Sequence, residues 1–317
     1  MHLAMPGPLP YSRDIMSALK CLALLVAVLV ATGSAWRQQR VETPVLTIRS
    51  DLVSLTIAVV DARGVLVPGL RQEDFTVFDN GERQMIQFFS SEDVAATIGL
   101  LIDSSGSMRG RRDEVTTAAA AFAAMCHPLD EFFTLNFNEW VWPGLPPHVP
   151  FTEDIGQLRA ALSAAPAQGM TALYDAVSRG LTHLQRGTRD RKALVVISDG
   201  GDNASAQTLD GVVRSARQSD AAIYSVTFFD PDDRDGRHQV LKTLTRDTGG
   251  RAFMARDAAD VTRSFAQIAR DIRSGYTIGF MPNDTSGGGF RSIRVVVDTR
   301  DHRQLIARTR AGYYARP

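Results

Sequence analysis

The chain is poor in cysteine, in lysine and in net charge. Two cysteines in 317 residues exclude a disulfide-stapled mini-protein. Thirty-five basic residues stand against thirty-five acidic ones, a formal net charge of zero. That argues against non-specific nucleic-acid binding, which needs an excess of cations to neutralise phosphates. Only Lys20, Lys192 and Lys242 are lysine; every other basic residue is arginine, a bias that codon composition accounts for. Catalytic signatures are missing as well. There is no Walker loop and no dinucleotide glycine fingerprint. Gly106-Ser107-Met108-Arg109-Gly110 puts its serine one residue too early for a nucleophile elbow. The six histidines (His2, His127, His148, His183, His238 and His302) show no metal spacing. A phosphoryl-accepting aspartate wants a second Asp two residues on, and Ser105 stands there after Asp103. The expectation is a protein that is not an enzyme.

Long apolar runs are also lacking. The uncharged run Cys21 to Thr32 has twelve residues, short of the roughly 20 that cross a bilayer. It suits the core of a signal peptide, with Gly33-Ser34-Ala35 as a cleavage site. Residues 1–35 therefore read as a signal peptide or an uncleaved N-terminal anchor, and the protein as exported: periplasmic, secreted or anchored facing outward. A start at Met16 gives a cleaner n-region than the first fifteen residues, which hold three prolines and an acid. After cleavage Cys126 is the one cysteine left. It ends an alanine-rich helix and reads as a small buried hydrophobe.

What is present is a foldable chain. Hydrophobic residues make up 44% and charged residues 22%, enough for a real core and about two domains. Residues 43–92 read as short strands and turns. Leu52 to Val60 is β-branched, Val65 to Val67 is a short strand, and Phe75 to Phe78 runs into the hairpin turn Asp79-Asn80-Gly81. Gln84 to Phe89 is the returning strand. Over 94–273 the rhythm changes. Apolar strands at Ala96–Ile102, Phe132–Phe137, Ala193–Ile197, Ala222–Phe228 and Arg251–Met254 alternate with helices at Asp113–Met125, Ile155–Ala164, Ala172–Leu184, Leu209–Gln218, His238–Thr248 and Ala258–Arg273. This alternation predicts an α/β fold with a doubly wound, mostly parallel sheet. Residues 274–317 return to strands: Tyr276–Met281, Ser292–Asp298 and Gln304–Tyr314. Three strands are too few to stand alone. Pairing them with 43–92 gives one small all-β sandwich into which the α/β domain is inserted.

One constellation carries chemistry. The strand Ala96–Ile102 ends in Asp103-Ser104-Ser105-Gly106-Ser107, and alternation lets Asp103, Ser105 and Ser107 converge. Gly169-Met170-Thr171 opens a helix and adds a hydroxyl; Ser198-Asp199-Gly200 ends another buried strand and adds a carboxylate. Strand carboxyl ends are where doubly wound sheets bind ligands. Two carboxylates and three hydroxyls form an all-oxygen set suited to a hard cation. Taken singly, the serines are N-cap residues and Asp199 a turn residue; their convergence is what counts. Arg109, Arg111 and Arg112 follow the first loop, as a solvated surface or as a lure for an acidic partner. Asp175 reads as a support for the Thr171 loop or as helix surface, and Asp202 and Asn203 as turn residues. The aromatic stretch Glu139-Trp140-Val141-Trp142, followed by Pro143, reads as a binding surface or a lid over an edge strand.

DSSGSM, GMTALYDAV and VVISDG, in this order, resemble the von Willebrand factor A domain and its metal-ion-dependent adhesion site. The flanks, LVSLTIAVVDARGVLVPGL and FRSIRVVV among them, resemble bacterial exported proteins related to that family. Carried over by position, the resemblance implies metal ligation by Asp103, Ser105, Ser107, Thr171 and Asp199. The serines would bind Mg2+ (or Ca2+ or Mn2+) directly, and the aspartates largely through water. It implies one open coordination position, completed by an Asp or Glu carboxylate of a protein partner. It also implies an adhesion function, with a structural envelope protein as the alternative, and a last helix that shifts on ligation. No nucleic acid is expected, and contact with a membrane only through an N-terminal anchor.

Overall fold

The computed structural model describes residues 52–163, 167–228, 238–283, 288–299 and 304–315. The expected signal or anchor over residues 1–35 lies outside the described residues. Among the described residues, no helix is long and apolar enough to cross a membrane.

The central layer is a six-stranded sheet in the order β10-β9-β8-β5-β6-β7. Its strands are β5 (Ala96–Asp103), β6 (Glu131–Phe137), β7 (Val141–Pro143), β8 (Arg191–Ser198), β9 (Ala222–Phe228) and β10 (Ala252–Ala255). All neighbours are parallel except β7, which runs antiparallel to β6 at the edge. Every residue of β5 is buried, as a strand covered on both faces requires. Gly99 permits the close fit: a Cβ there would lie 2.4 Å from the Phe133 ring. On one face Phe122 of α1 (Arg112–Met125) packs with Phe265 of α6 (Ala258–Arg273), ring centroids 5.2 Å apart. The other face is covered by α3 (Leu173–Leu184), α4 (Leu209–Gln218) and α5 (Gln239–Thr248). Between β6 and α3 lies α2 (Ile155–Ser163).

The strands before and after this layer form two antiparallel sheets, ordered β13-β1-β11-β4 and β14-β12-β2-β3. The chain's early strands are β1 (Val53–Asp61), β2 (Phe75–Asp79), β3 (Glu82–Gln84) and β4 (Ile86–Ser90). The late ones are β11 (Tyr276–Phe280), β12 (Gly289–Val297), β13 (Leu305–Arg308) and β14 (Gly312–Ala315). Early and late strands pair directly, β1 with β11 and β2 with β12, so the sandwich forms around the inserted α/β layer. Leu55, Ile57, Val77, Ile278 and Phe280 fill its core.

Two expected strands are each two. Gln84–Phe89 breaks at the exposed Met85: β3 stays with β2, and β4 crosses to β11. Gln304–Tyr314 breaks between β13 and β14, which likewise join different sheets. The local pattern is strand-like throughout; which sheet each half joins depends on distant partners. Asn80 (φ 49) and Gly81 (φ 86) make the expected tight turn, both in the left-handed region that such turns require.

The end of α6 is clamped. Arg191, buried at the start of β8, donates to the carbonyls of Ile272 (2.6 Å) and Gly275 (3.0 Å). Asp271 pairs with Arg308 of β13 at 2.6 Å, and Arg273 with Asp93 at 2.6 Å.

Candidate functional site

In the central sheet the chain leaves β5 toward β6 on one side, while β8 and β9 lie on the other. The carboxyl ends of β5 and β8 therefore flank the point where strand order reverses, the place where sheets of this kind form their ligand crevice. Ile102 pairs with Ile197 in register, which sets Asp103 beside Ser198. The Ser198 hydroxyl donates to Asp103 Oδ2 at 2.6 Å, and the Ser105 N–H donates to Oδ1 at 2.8 Å. Asp103 is 2% exposed. Burial pushes its carboxyl up to about 6; the bonds from Ser105 and Ser198 pull it down, and the charge of Asp199 adds a smaller push upward. Beyond Ser105 the chain enters a tight 3-10 turn over Gly106–Arg111. The turn brings the Ser105 and Ser107 hydroxyls to 3.1 Å from each other.

The second loop is stitched to the first. Gly106 N–H donates to the Gly169 carbonyl (3.1 Å), and Gln168 N–H to the Ser104 carbonyl (2.8 Å). Gly169 has φ +83, and a Cβ there would overlap the Glu139 carboxylate. That carboxylate accepts from Met170 N–H at 3.0 Å. Thr171 follows, 6% exposed. Its N–H donates to Asn203 Oδ1 (2.8 Å), and its carbonyl accepts from Asn203 N–H (2.9 Å).

The third loop, after β8, carries Asp199 half-buried at the crevice. Its side chain accepts from Gly201 N–H at 3.3 Å. The residues beyond it cap α3. Asp202 accepts from Tyr174 N–H (3.1 Å), and the Ser205 hydroxyl accepts from Asp175 N–H (3.1 Å). In return, the Asp175 carboxylate accepts from the N–H groups of Ala206 (3.0 Å) and Gln207 (2.8 Å). Asp175 thus holds the β8 loop in place. Asn203, read from the sequence as a turn residue, ties Thr171 to that loop. The signal available was a run of capping residue types, Asp202, Asn203 and Ser205, just after a strand end.

The three arginines are engaged by the protein itself. Arg112 donates to the Ser104 hydroxyl (2.8 Å) and the Leu162 carbonyl (3.2 Å). Arg109 donates to the Ala167 carbonyl at 3.3 Å. The Arg111 guanidinium stands 4.6 Å from the centre of the Phe228 ring. Glu139 and Trp140 lie in the bend before the edge strand β7, which holds Val141 and Trp142, and Trp140 is 74% exposed.

The donor set fits a hard divalent cation. Asp103 is buried with hydroxyl and amide partners only, so a positive charge beside it would favour its ionised form. Among the described residues no three His, Cys, Asp or Glu side chains gather as a metal group. A cation here would depend on hydroxyl oxygens, which suit Mg2+ and Ca2+. Cys126 takes no part: it is free and buried, and burial pushes its thiol up.

No curated protein matches the chain. Among solved structures it is similar to a von Willebrand factor type A protein from Catenulispora acidiphila. That likeness has a TM-score of 0.50 at 14% identity and covers 83% of this chain and 72% of the other. It is also similar to the vWF domain of the type V pili tip protein Mfa5 from Porphyromonas gingivalis (TM-score 0.49, 13% identity, 57% of this chain and 95% of the other). A third is BatB from Bacteroides thetaiotaomicron (TM-score 0.46, 13% identity, 56% and 98%). The family model for the von Willebrand factor type A domain matches residues 97–267, more than half of the chain. The chain belongs to the von Willebrand factor type A domain family.

Proposed function

We propose that this protein is an exported, metal-dependent binding module that captures a carboxylate of a protein partner. The observation that carries the reading is the meeting of Asp103, Ser105 and Ser107 at the strand-order reversal, with the Thr171 and Asp199 loops hydrogen-bonded around them. Ser105, Ser107 and Thr171 would hold the cation through their hydroxyls, with Asp103 and Asp199 balancing its charge. When bound, Mg2+ would supply a positive centre that a partner's Asp or Glu can join. Neutral hydroxyls leave that centre under-neutralised, so an external carboxylate is favoured. Ser198 and the Ser105 amide hold Asp103 in one orientation, and Asn203 holds the backbone of Thr171.

Calorimetric titration of Mg2+ and Mn2+ into wild type, S105A and T171A tests this. Both variants should bind the metal at least tenfold more weakly, with melting temperatures close to wild type. A glutamate-containing model peptide should bind wild type only when the metal is present. Large melting losses with unchanged peptide binding would favour a site that mainly stabilises an envelope scaffold. Metal binding unchanged in both variants would exclude this ligand set.

A further inference from the structure

At the opposite end of the sheet from the carboxylate crevice, a cavity of about 460 Å³ opens between the end of α5 and the sandwich corner at β13–β14. Five of its fourteen lining residues are arginine and none is acidic. Arginine makes up about one residue in ten of the chain, so this is a concentration that overall composition does not account for.

Three of the five are stacked on aromatic rings. Arg251 lies over Phe253 (4.8 Å to the ring centre), Arg294 over Phe78 (4.1 Å) and Arg310 over Tyr313 (5.6 Å). Stacking uses the flat face of a guanidinium and leaves its N–H edge for an acceptor; Arg310 gives one such bond, from Nη2 to the Ser54 carbonyl (2.8 Å). Among the described residues no carboxylate lies within ion-pair distance of Arg251, Arg294 or Arg310. Arg308 has Asp271, and Arg246 shares Asp247 with Arg217. Among the described residues, Arg308 Nε and Nη1 and Arg310 Nε have no acceptor and are closed off from solvent, so they add positive charge to the cleft wall. A buried donor without a partner is costly, and so is a buried uncompensated charge. The C-terminus of α5 does point here, with Gly249 in the left-handed conformation. A helix end amounts to about half a negative charge, which one arginine offsets.

We propose that this cleft is a binding site for a multivalent oxyanion, separate from the carboxylate crevice and of opposite charge. Phosphate and carboxylate can each present a pair of oxygens to the bidentate N–H fork of arginine, so either source satisfies the chemistry. The site needs no divalent cation.

The test is calorimetry on the full chain in EDTA, with ionic strength held constant by NaCl. Pyrophosphate is the phosphate probe and tricarballylate the carboxylate probe. At least one should bind saturably; which one binds more tightly assigns the source. R251Q and R310Q should each weaken that binding at least tenfold. R251Q decides the matter if circular dichroism shows R310Q to be misfolded. Absence of saturable binding by both probes, or unchanged affinity in R251Q, overturns the proposal. Because metal is chelated throughout, failure of the metal reading leaves this result untouched.

Discussion

Two aspartates close strands in the two halves of this molecule, and both are almost fully buried. Asp79 ends β2 in the sandwich at 0% exposure, and Asp103 ends β5 in the central sheet at 2%. Asp79 has its cation built in. Arg291 Nε lies 3.0 and 2.9 Å from its two carboxylate oxygens, and the Tyr313 hydroxyl donates at 3.0 Å. Burial, with the Asp79 hydrogen bond and charge behind it, pushes that phenol up to about 12, which keeps it a donor. Asp103 has a hydroxyl and an amide but no cation; the nearby Arg112 is spent on Ser104 and Leu162. Burying a carboxylate is tolerable when charge and hydrogen bonds answer it. In one half the chain supplies the positive charge. In the other, on the function proposed above, the positive charge would come from solution. The same residue at similar burial thus meets a built-in cation in one setting and only neutral donors in the other.

The contrast can be broken by substitution. The largest effect is expected for Asp79→Ala. It strands the Arg291 charge, so urea denaturation should show a loss of about 3–5 kcal/mol. A loss below about 1 kcal/mol would mean that the pair is not structural. Next comes Asn203→Ala, which removes the acceptor for Thr171 N–H. Stability should fall by about 1 kcal/mol, as for other lost caps. Mg2+ affinity should fall about 10–100-fold, the usual cost of losing a group that orients a ligand. A stability loss with metal affinity intact would sever Asn203 from the site. The smallest effect on folding is expected for Asp103→Asn in EDTA. The amide keeps an acceptor for Ser105 N–H and removes an uncompensated charge, so stability should stay within about 1 kcal/mol of wild type. Mg2+ binding by the same variant should be lost. Destabilisation comparable to Asp79→Ala would erase the distinction.

Much of the α/β half is legible along the chain. The runs ATIGLLI and ALVVI are too apolar for anything but strands covered on both faces, and the amphipathic stretches between them are helices. Asp103, Ser105 and Ser107 are readable because they alternate within one short loop at a strand end. The sandwich is less legible. Gln84–Phe89 and Gln304–Tyr314 look like single strands, yet each divides between two sheets. Their alternation is local, while β4 pairs with β11 and β13 with β1, partners that lie far away along the chain. The edge strand β7 hid in an aromatic, proline-bounded stretch with no periodicity to mark it. The arginines after the first loop illustrate the same limit. Their positions are plain, but their engagement with Ser104, Ala167 and Phe228 depends on how loops far apart in sequence come together.

Periodicity and residue type alone thus settle the alternation of strands and helices in the α/β half and the oxygen-rich loop at a strand terminus, because each is a local pattern along the chain. Tertiary structure settles which buried charges are answered. Asp79 meets Arg291 across 212 residues, Arg191 meets the end of α6 across 81, and the arginine cleft draws on two separate parts of the chain. Electrostatic balance is a property of what lies within a few ångströms in space, and sequence order does not encode that distance.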